Sequence, residues 1–128
     1  MNVFDFVNAI NFDKRDLFED PQAEKDYSPF LVNRALSYFH DTVLYANEMN
    51  RHPHIDKRLQ FEFLKGSITK RKRFSKWTKK TASTDDVTAV CKFYKYSVEK
   101  ALEAMILLSQ EQIEYIKQQM GKGGNHDY

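Results

Sequence analysis

The feature that most limits the fold is a helical spacing of apolar residues, which recurs along almost the whole chain, in several places after a serine. Ser28 is followed by Pro29 at the first helical position, and Ser83, Ser97 and Ser109 precede similar runs. A serine at such a position accepts a hydrogen bond from a free N–H of the first helical turn. No segment shows the alternation that is typical of a half-buried strand. The sequence therefore predicts an all-α fold.

The spacing predicts four helices in the first half of the chain, at about residues 3–10, 28–39, 42–49 and 55–67. Residues 11–26 have no clear period and are predicted to form a polar loop. The helix at 55–67 carries more apolar residues than one face can hold, Phe61 and Phe63 among them. A second surface is therefore expected to cover this helix.

Three further helices are predicted after residue 83. Their apolar stripes are Val87, Val90, Cys91 and Tyr94, then Val98, Ala101, Leu102 and Met105, then Ile113, Ile116 and Met120. Gly121 is expected to end the last helix, because glycine commonly follows a helix C-terminus. The predicted organisation is two small helical lobes, at 1–69 and 84–121, with a connector at 70–83 and a flexible tail at 122–128.

The connector contains "KRKRFSKWTKK" at residues 70–80, which concentrates the positive charge of the protein. Residues 1–69 carry eight Lys and Arg against eleven Asp and Glu, and residues 81–128 carry five against seven. The strip carries seven basic residues and no acidic one. The small net charge therefore hides a local asymmetry, and any attraction to phosphate or to an acidic protein is expected at this strip.

Two aromatic residues among the cations set this strip apart from an ordinary solvated linker. Single-stranded nucleic-acid sites combine rings that stack on bases with cations that follow the phosphates. Trp and Arg are also common anchors in protein interfaces, so a protein partner fits the same composition. The candidate residues for DNA or partner contact are Lys70, Arg71, Lys72, Arg73, Phe74, Lys76, Trp77, Lys79 and Lys80.

Motifs for catalysis or for a bound cofactor are not found. "GKGG" at 121–124 lacks the earlier glycine and the following Ser or Thr of a phosphate loop. His52 and His54, even with His40 and Asp56, do not supply the four ligands of a structural zinc site. The single cysteine, Cys91, is expected to be a small helix-face residue and suggests a reducing cytoplasm. We therefore expect no catalytic residue, no cofactor, no metal and no membrane span.

Three segments together resemble a known protein family: "EKDYSPFLVNRALSYF" at 24–39, "KRFSKW" at 72–77 and "YKYSVEKALEAMILLSQEQIEYIK" at 94–117. They are similar to the small, non-ATPase subunit of the sliding-clamp loader of T-even-type bacteriophages. The likeness is to the short form that is found in relatives infecting cyanobacteria, and it extends over nearly all of residues 3–124.

This resemblance implies a non-catalytic subunit that completes an ATPase assembly, which opens the clamp and loads it at primer–template junctions during DNA replication. The implied partners are the clamp-loader ATPase subunits, the sliding clamp and, through the complex, primer–template DNA, in the cytoplasm of the infected host. The helices at 28–39 and 55–67 are the expected subunit interface. Its candidate residues are Tyr27, Phe30, Phe61 and Phe63.

Two other classes of function compete with this one. A free-standing DNA-binding regulator would use the last three helices as a helix-turn-helix module. Its recognition helix, "QEQIEYIKQQM", has Lys117 but no Arg and two Glu, which is a poor composition for phosphate and base contacts. A small enzyme is the third alternative, and no grouping of acid, base and nucleophile supports it.

Overall fold

The computed structural model describes residues 1–73 and 83–124, with side chains as far as Gly121. These residues form eight α-helices and no strand, so the all-α prediction is confirmed. The helices are α1 (Val3–Asn8), α2 (Gln22–Asp26), α3 (Pro29–Leu36), α4 (Val43–Asn50), α5 (Lys57–Ser67), α6 (Thr84–Tyr94), α7 (Val98–Leu107) and α8 (Gln110–Gly124).

Internal contacts divide the chain into two compact units, Met1–Lys76 and Trp77–Tyr128. The first unit contains α1–α5, and the second contains α6–α8. The predicted lobe boundaries at residues 69 and 84 stay a prediction. In the described parts of both units, no helix is long and apolar enough to cross a bilayer.

The serine caps lie where the sequence predicts them, and they fix where α3, α6, α7 and α8 begin. The side-chain oxygens of Ser28, Ser83 and Ser97 each accept a hydrogen bond from the backbone N–H three residues later. Ser109 and Gln112 form the full capping box, with distances of 3.2 Å and 2.9 Å between the bonded atoms. Each such cap satisfies an N–H that the helix itself leaves unpaired.

The core of the first unit is built around four aromatic rings. Phe6, Phe18, Tyr27 and Phe61 are all buried, and the centroids of Phe6 and Tyr27 are 5.0 Å apart in an edge-to-face arrangement. Phe18 and Phe61 approach to 5.1 Å. Rings at such distances gain from their complementary edges and faces in addition to the area they bury. This cluster joins α1, the segment before α3, and α5 into one body.

The prediction of a polar loop at residues 11–26 is wrong. A π-helical turn at Ala9–Asp13 continues α1, a 3₁₀ turn forms at Leu17–Glu19, and α2 follows. Asn11, Phe18 and Ala23 are buried there. Each of these turns is too short for its apolar residues to recur at a helical period, so the pattern of the sequence did not reveal them.

α3 is shorter than predicted, because it ends at Leu36 rather than near Phe39. Two hydroxyl groups end it: Ser37 Oγ donates to the carbonyl of Arg34 at 2.5 Å, and Thr42 Oγ1 donates to that of Leu36 at 2.6 Å. Both carbonyls also accept a backbone N–H, that of Arg34 from Ser37 and that of Leu36 from Phe39, so each hydroxyl adds a second bond at the helix end. α4 and α5 agree with the predicted helices to within two residues at each end.

In the second unit, α6 contacts both α7 and α8. Lys117 on α8 lies 3.0 Å from an Asp86 carboxylate oxygen on α6, and this ammonium group holds the pKa of Asp86 below its ordinary value. Hydrogen bonding and charge from Asp86, the largest cause, in turn raise the pKa of Lys117. This pair lies at the first turn of α6, where an acidic side chain also suits the helix dipole.

Two predictions about this unit are wrong. Ala101 and Met105 of the predicted α7 stripe are buried, but Val98 and Leu102 are 59% and 46% exposed, because α7 buries a face rotated from the predicted stripe. That face contains the small residues Ala101 and Ala104, which permit close approach of a neighbouring helix. α8 continues through Gly121 to Gly124 instead of stopping at Gly121, and no Cβ-sized obstacle or positive φ marks Gly121.

Candidate nucleic-acid and subunit interfaces

The first residues of the basic strip lie against the π-helical turn that follows α1. The backbone N–H of Arg71 donates to the carbonyl of Asn11 at 2.7 Å. This contact anchors residues 70–73, the part of the strip that the structure describes. Phe74, Lys76, Trp77, Lys79 and Lys80 lie outside the described residues, so their suggested contacts stay predictions.

Lys14 holds the end of α5 against this turn. Its backbone has a φ of 60°, which ends the π-helical turn, and its Nζ donates to the carbonyls of Ile10, Ile68 and, at 2.7 Å, Lys65. Burial is the largest cause that lowers the pKa of this ammonium, followed by the charges of Arg73 and Lys65. A cation at the carbonyl end of a helix is favourable, so Lys14 fixes the position from which the strip departs.

Arg73 is a structural residue rather than a free cation. Its side chain is only 6% exposed, and its Nη2 and Nε lie 2.8 Å and 3.0 Å from Asp41 Oδ2. Nη1 donates to the Thr69 carbonyl at 3.0 Å and contacts Asn11 at longer distance. These bonds use most of the guanidinium's donors. Arg73 is among the candidate nucleic-acid contacts predicted from the sequence, but in the structure its hydrogen bonds stabilise the fold of the first unit.

Lys70, Arg71 and Lys72 are exposed, and they form the accessible positive charge of the described strip. The Nζ atoms of Lys70 and Lys72 lie 5.1 Å and 5.2 Å from the centre of the Phe12 ring. Arg71 is 3.5 Å from Asp41, and its side chain is 70% exposed. Both ammonium groups lie near the Phe12 ring, which carries no net charge, so their positive charges are not neutralised. This arrangement suits a ligand with negative charge.

A groove of about 410 Å³ lies beside these cations. Its lining is Tyr38, Phe39, His40, Asp41, Arg71, Lys72 and Arg73. Aromatic and basic side chains therefore meet on one surface of the first unit, with a single carboxylate that already pairs with Arg73. A surface of this composition can accept a phosphate next to a base or sugar.

The Asp41–Arg73 pair predicts a specific dependence of stability on pH. The hydrogen bond from Arg73 is the largest cause that holds the pKa of Asp41 below its ordinary value of 3.8. The unfolded chain therefore binds a proton more readily than the folded protein. The stability that this pair contributes is fully present above the unfolded pKa and is lost as the pH falls through the folded pKa.

We therefore expect Asp41→Asn to unfold more easily than the parent at pH 7, with the difference shrinking below about pH 4. Urea unfolding at several pH values measures it, and Glu19→Gln, a change at an exposed acid of the same unit, is the control. A difference between Asp41→Asn and the parent that stays constant from pH 7 to pH 3 would show that the charge of Asp41 does not act as described.

The four candidate interface residues separate into two classes. Tyr27 and Phe61 are buried in the aromatic core, and burial raises the pKa of the Tyr27 hydroxyl. They stabilise the first unit and present no surface to a partner. Phe30 and Phe63 are exposed, so they keep the surface that a subunit contact needs.

The exposed apolar residues of α4 and α5 include Phe63 and the Tyr45 ring beside it. Leu44 is 75% exposed and Leu59 is 61% exposed, and the rings of Tyr45 and Phe63 lie 6.5 Å apart. We call these four residues the α4–α5 face. Large apolar side chains grouped on a surface are typical of protein interfaces.

Sequence reasoning missed four residues that contact the basic strip or fix its position: Asn11, Phe12, Lys14 and Asp41. Asn11, Phe12 and Lys14 fell in the supposed polar loop, and Asp41 contacts Arg73 from 32 positions away. No local pattern signals such long-range pairs. Among the described residues, no group of three or more His, Cys, Asp or Glu side chains is placed to hold a metal ion.

Comparison with known proteins gives a family match. The family model of the bacteriophage clamp loader A subunit matches residues 1–125 of the 128-residue chain. A search of curated proteins gave no significant match. Because the family model covers nearly the whole chain, this protein belongs to the bacteriophage clamp loader A subunit family.

Proposed function

We propose that this chain is a non-catalytic subunit of a phage sliding-clamp loader. It completes the assembly of ATPase subunits that opens the clamp and loads it at primer–template junctions during DNA replication. Family membership supports the general role in clamp loading. The observation that carries the more specific proposal is the exposed α4–α5 face, because large apolar side chains on a surface fit a contact with another subunit. The expected location is the cytoplasm of the infected host.

The α4–α5 face is the proposed contact with an ATPase subunit. Leu44 and Leu59 expose most of their side chains, although burying a leucine is worth about 1.5–3 kcal/mol. Stable interfaces have apolar centres of this kind and resemble a protein core divided in two. Phe30 lies on α3 of the same unit and is the second candidate for this contact.

The basic groove is the proposed contact with primer–template DNA in the assembled loader. Its accessible cations are Lys70, Arg71 and Lys72, whereas Arg73 is held by Asp41. Phosphate contacts from such residues position a protein on DNA without reading the sequence, which suits a loader that works at any junction. The rest of the strip, residues 74–80 with Trp77, is proposed to contact the same DNA.

The experiment for this contact is the salt dependence of DNA binding by the assembled loader. Replacing Arg71 and Lys72 together by Ala is expected to flatten the slope of log affinity against log salt by about 0.9 for each lost phosphate contact on duplex DNA. Fluorescence anisotropy with a primer–template junction measures the slope. Assembly should be unchanged, because neither residue belongs to the α4–α5 face.

The control is the double change of Arg15 and Lys25 to Ala, which removes the same charge from exposed positions away from the groove. It should keep the parental slope. If the Arg71 and Lys72 variant also keeps it, the groove does not touch DNA, and a protein contact becomes the better explanation of the strip.

A further inference from the structure

The basic groove has an aromatic wall that phosphate contacts alone do not use. Tyr38 and Phe39 line the groove together with Arg71 and Lys72, and Tyr38 is 46% exposed. An aromatic side chain is a large apolar surface that folding normally buries. An exposed ring among cations is instead the combination with which proteins bind a strand of nucleic acid, because the ring stacks on a base and the cations follow the phosphates.

Hydrogen bonds hold the segment that carries Tyr38 against the basic strip. This segment connects α3 to α4, and Thr42 Oγ1 near its end donates to the Leu36 carbonyl at its start at 2.6 Å. Asp41 in the same segment accepts hydrogen bonds from Arg73 Nη2 and Nε at 2.8 Å and 3.0 Å. The ring and the strip are therefore placed on one surface, although they are distant in the sequence.

The charges near the ring fit an anion. The guanidinium carbon of Arg34 lies 5.7 Å from the centre of the Tyr38 ring. The side chain of Arg71 is 70% exposed, and Lys72 is also exposed. The Asp41 carboxylate in the lining is already bound by an arginine. Cations from α3 and from the strip therefore lie near one ring, which suits a chain that carries a phosphate on either side of each base.

The ring and the cations differ in the form of DNA that they can bind. Cations contact the phosphates of paired and unpaired strands alike. A ring can stack only on a base that lies outside the duplex stack, and pulling a base out of a duplex costs free energy. An unpaired strand presents the faces of its bases without that cost. The ring of this groove therefore adds affinity only for an unpaired strand.

We propose that Tyr38 stacks on an unpaired base while Arg71 and Lys72 bind the neighbouring phosphates, so that the groove prefers single-stranded DNA to duplex. The inference rests on the proposed function, because that function brings primer–template DNA to this surface. It assigns the groove to the unpaired template strand of the junction, which phosphate contacts by themselves do not distinguish from the duplex.

The first test is Tyr38→Ala in the assembled loader, with fluorescence anisotropy on a primer–template junction and on a blunt duplex of equal length. The affinity for the junction should fall about fivefold or more, the loss typical of one stacked base, while that for the blunt duplex is unchanged. The salt slope should stay parental, because no charge is removed. Tyr38→Phe keeps the ring and should bind like the parent. The control is Tyr115→Ala, at a 56% exposed tyrosine of the second unit.

Parental binding of the junction by Tyr38→Ala, or an equal loss on both DNAs, would overturn the inference. The variant with Arg71 and Lys72 changed to Ala keeps this result separate from the proposed function. If that variant flattens the salt slope while Tyr38→Ala changes nothing, the groove contacts DNA but does not hold an unpaired base. If neither variant differs from the parent, the DNA contact at the groove fails as well.

The second test uses the parent chain, so it does not depend on how a variant folds. 5-Iododeoxyuridine is placed at one template position at a time, the assembled loader is irradiated on the junction, and the cross-linked peptide is identified by mass spectrometry. A cross-link to the peptide that contains Tyr38 is expected from an unpaired position and not from paired ones. Absence of this cross-link, or an equal yield from paired positions, would contradict the inference.

Discussion

Phe61→Ala is expected to lower the free energy of unfolding by about 3–5 kcal/mol, the range for removing a buried aromatic ring. Phe61 is fully buried and touches Phe6, Phe18 and Tyr27, so its loss opens a cavity between α1, the segment before α3, and α5. Rings that pack edge to face cannot easily collapse into that space. Urea unfolding followed by circular dichroism measures the change.

Phe63→Ala is the matched control for this change, because it removes the same side chain two positions away on the same helix. Phe63 is exposed, so the control should change the free energy of unfolding by less than about 1 kcal/mol. Equal losses for the two variants would contradict the division of α5 into a core side and a partner side.

Replacing Leu59 and Phe63 together by Ser is expected to abolish stable assembly with the ATPase subunits while the isolated chain stays folded. Both side chains are on the α4–α5 face, and serine removes their apolar area without a change of charge. A few central residues of an interface carry most of its binding energy, and truncating such a residue costs about 2 kcal/mol or more. Size-exclusion chromatography with light scattering measures assembly.

The control for this variant is Val98 and Leu102 changed together to Ser, which removes exposed apolar area from α7 of the second unit. Normal assembly of the Leu59 and Phe63 variant would contradict a contact through the α4–α5 face. Loss of assembly in both variants would show that the subunit interface also includes the second unit.

The sequence predicted the helices that have clear caps and a clear period. Ser28, Ser83, Ser97 and Ser109 lie at the helix starts because the capping interaction is local and depends on residues only three positions apart. The turns between α1 and α3 were missed because their burial depends on residues that are distant in the sequence. Phe18 is buried by rings from distant parts of the chain, and no local spacing indicates that environment.

The candidate sites show the same limit. Composition identified the cations of the strip, but it could not separate Arg73, which Asp41 and Asn11 hold, from exposed Arg71. Periodicity showed that α5 carries apolar residues on more than one face, but it could not tell which face is buried. Only the positions of the neighbouring helices decide that Phe61 faces the core and Phe63 faces outward.

The most direct test of the central claim is ATP turnover by the large clamp-loader subunits in the presence of clamp and primer–template DNA, measured with and without this chain. The proposed function predicts no turnover by the purified chain alone and a stoichiometric rise in DNA-dependent turnover when it joins the large subunits. ATP hydrolysis by the chain alone, or large-subunit turnover and assembly that its addition leaves unchanged, would contradict a non-catalytic subunit that completes the loader.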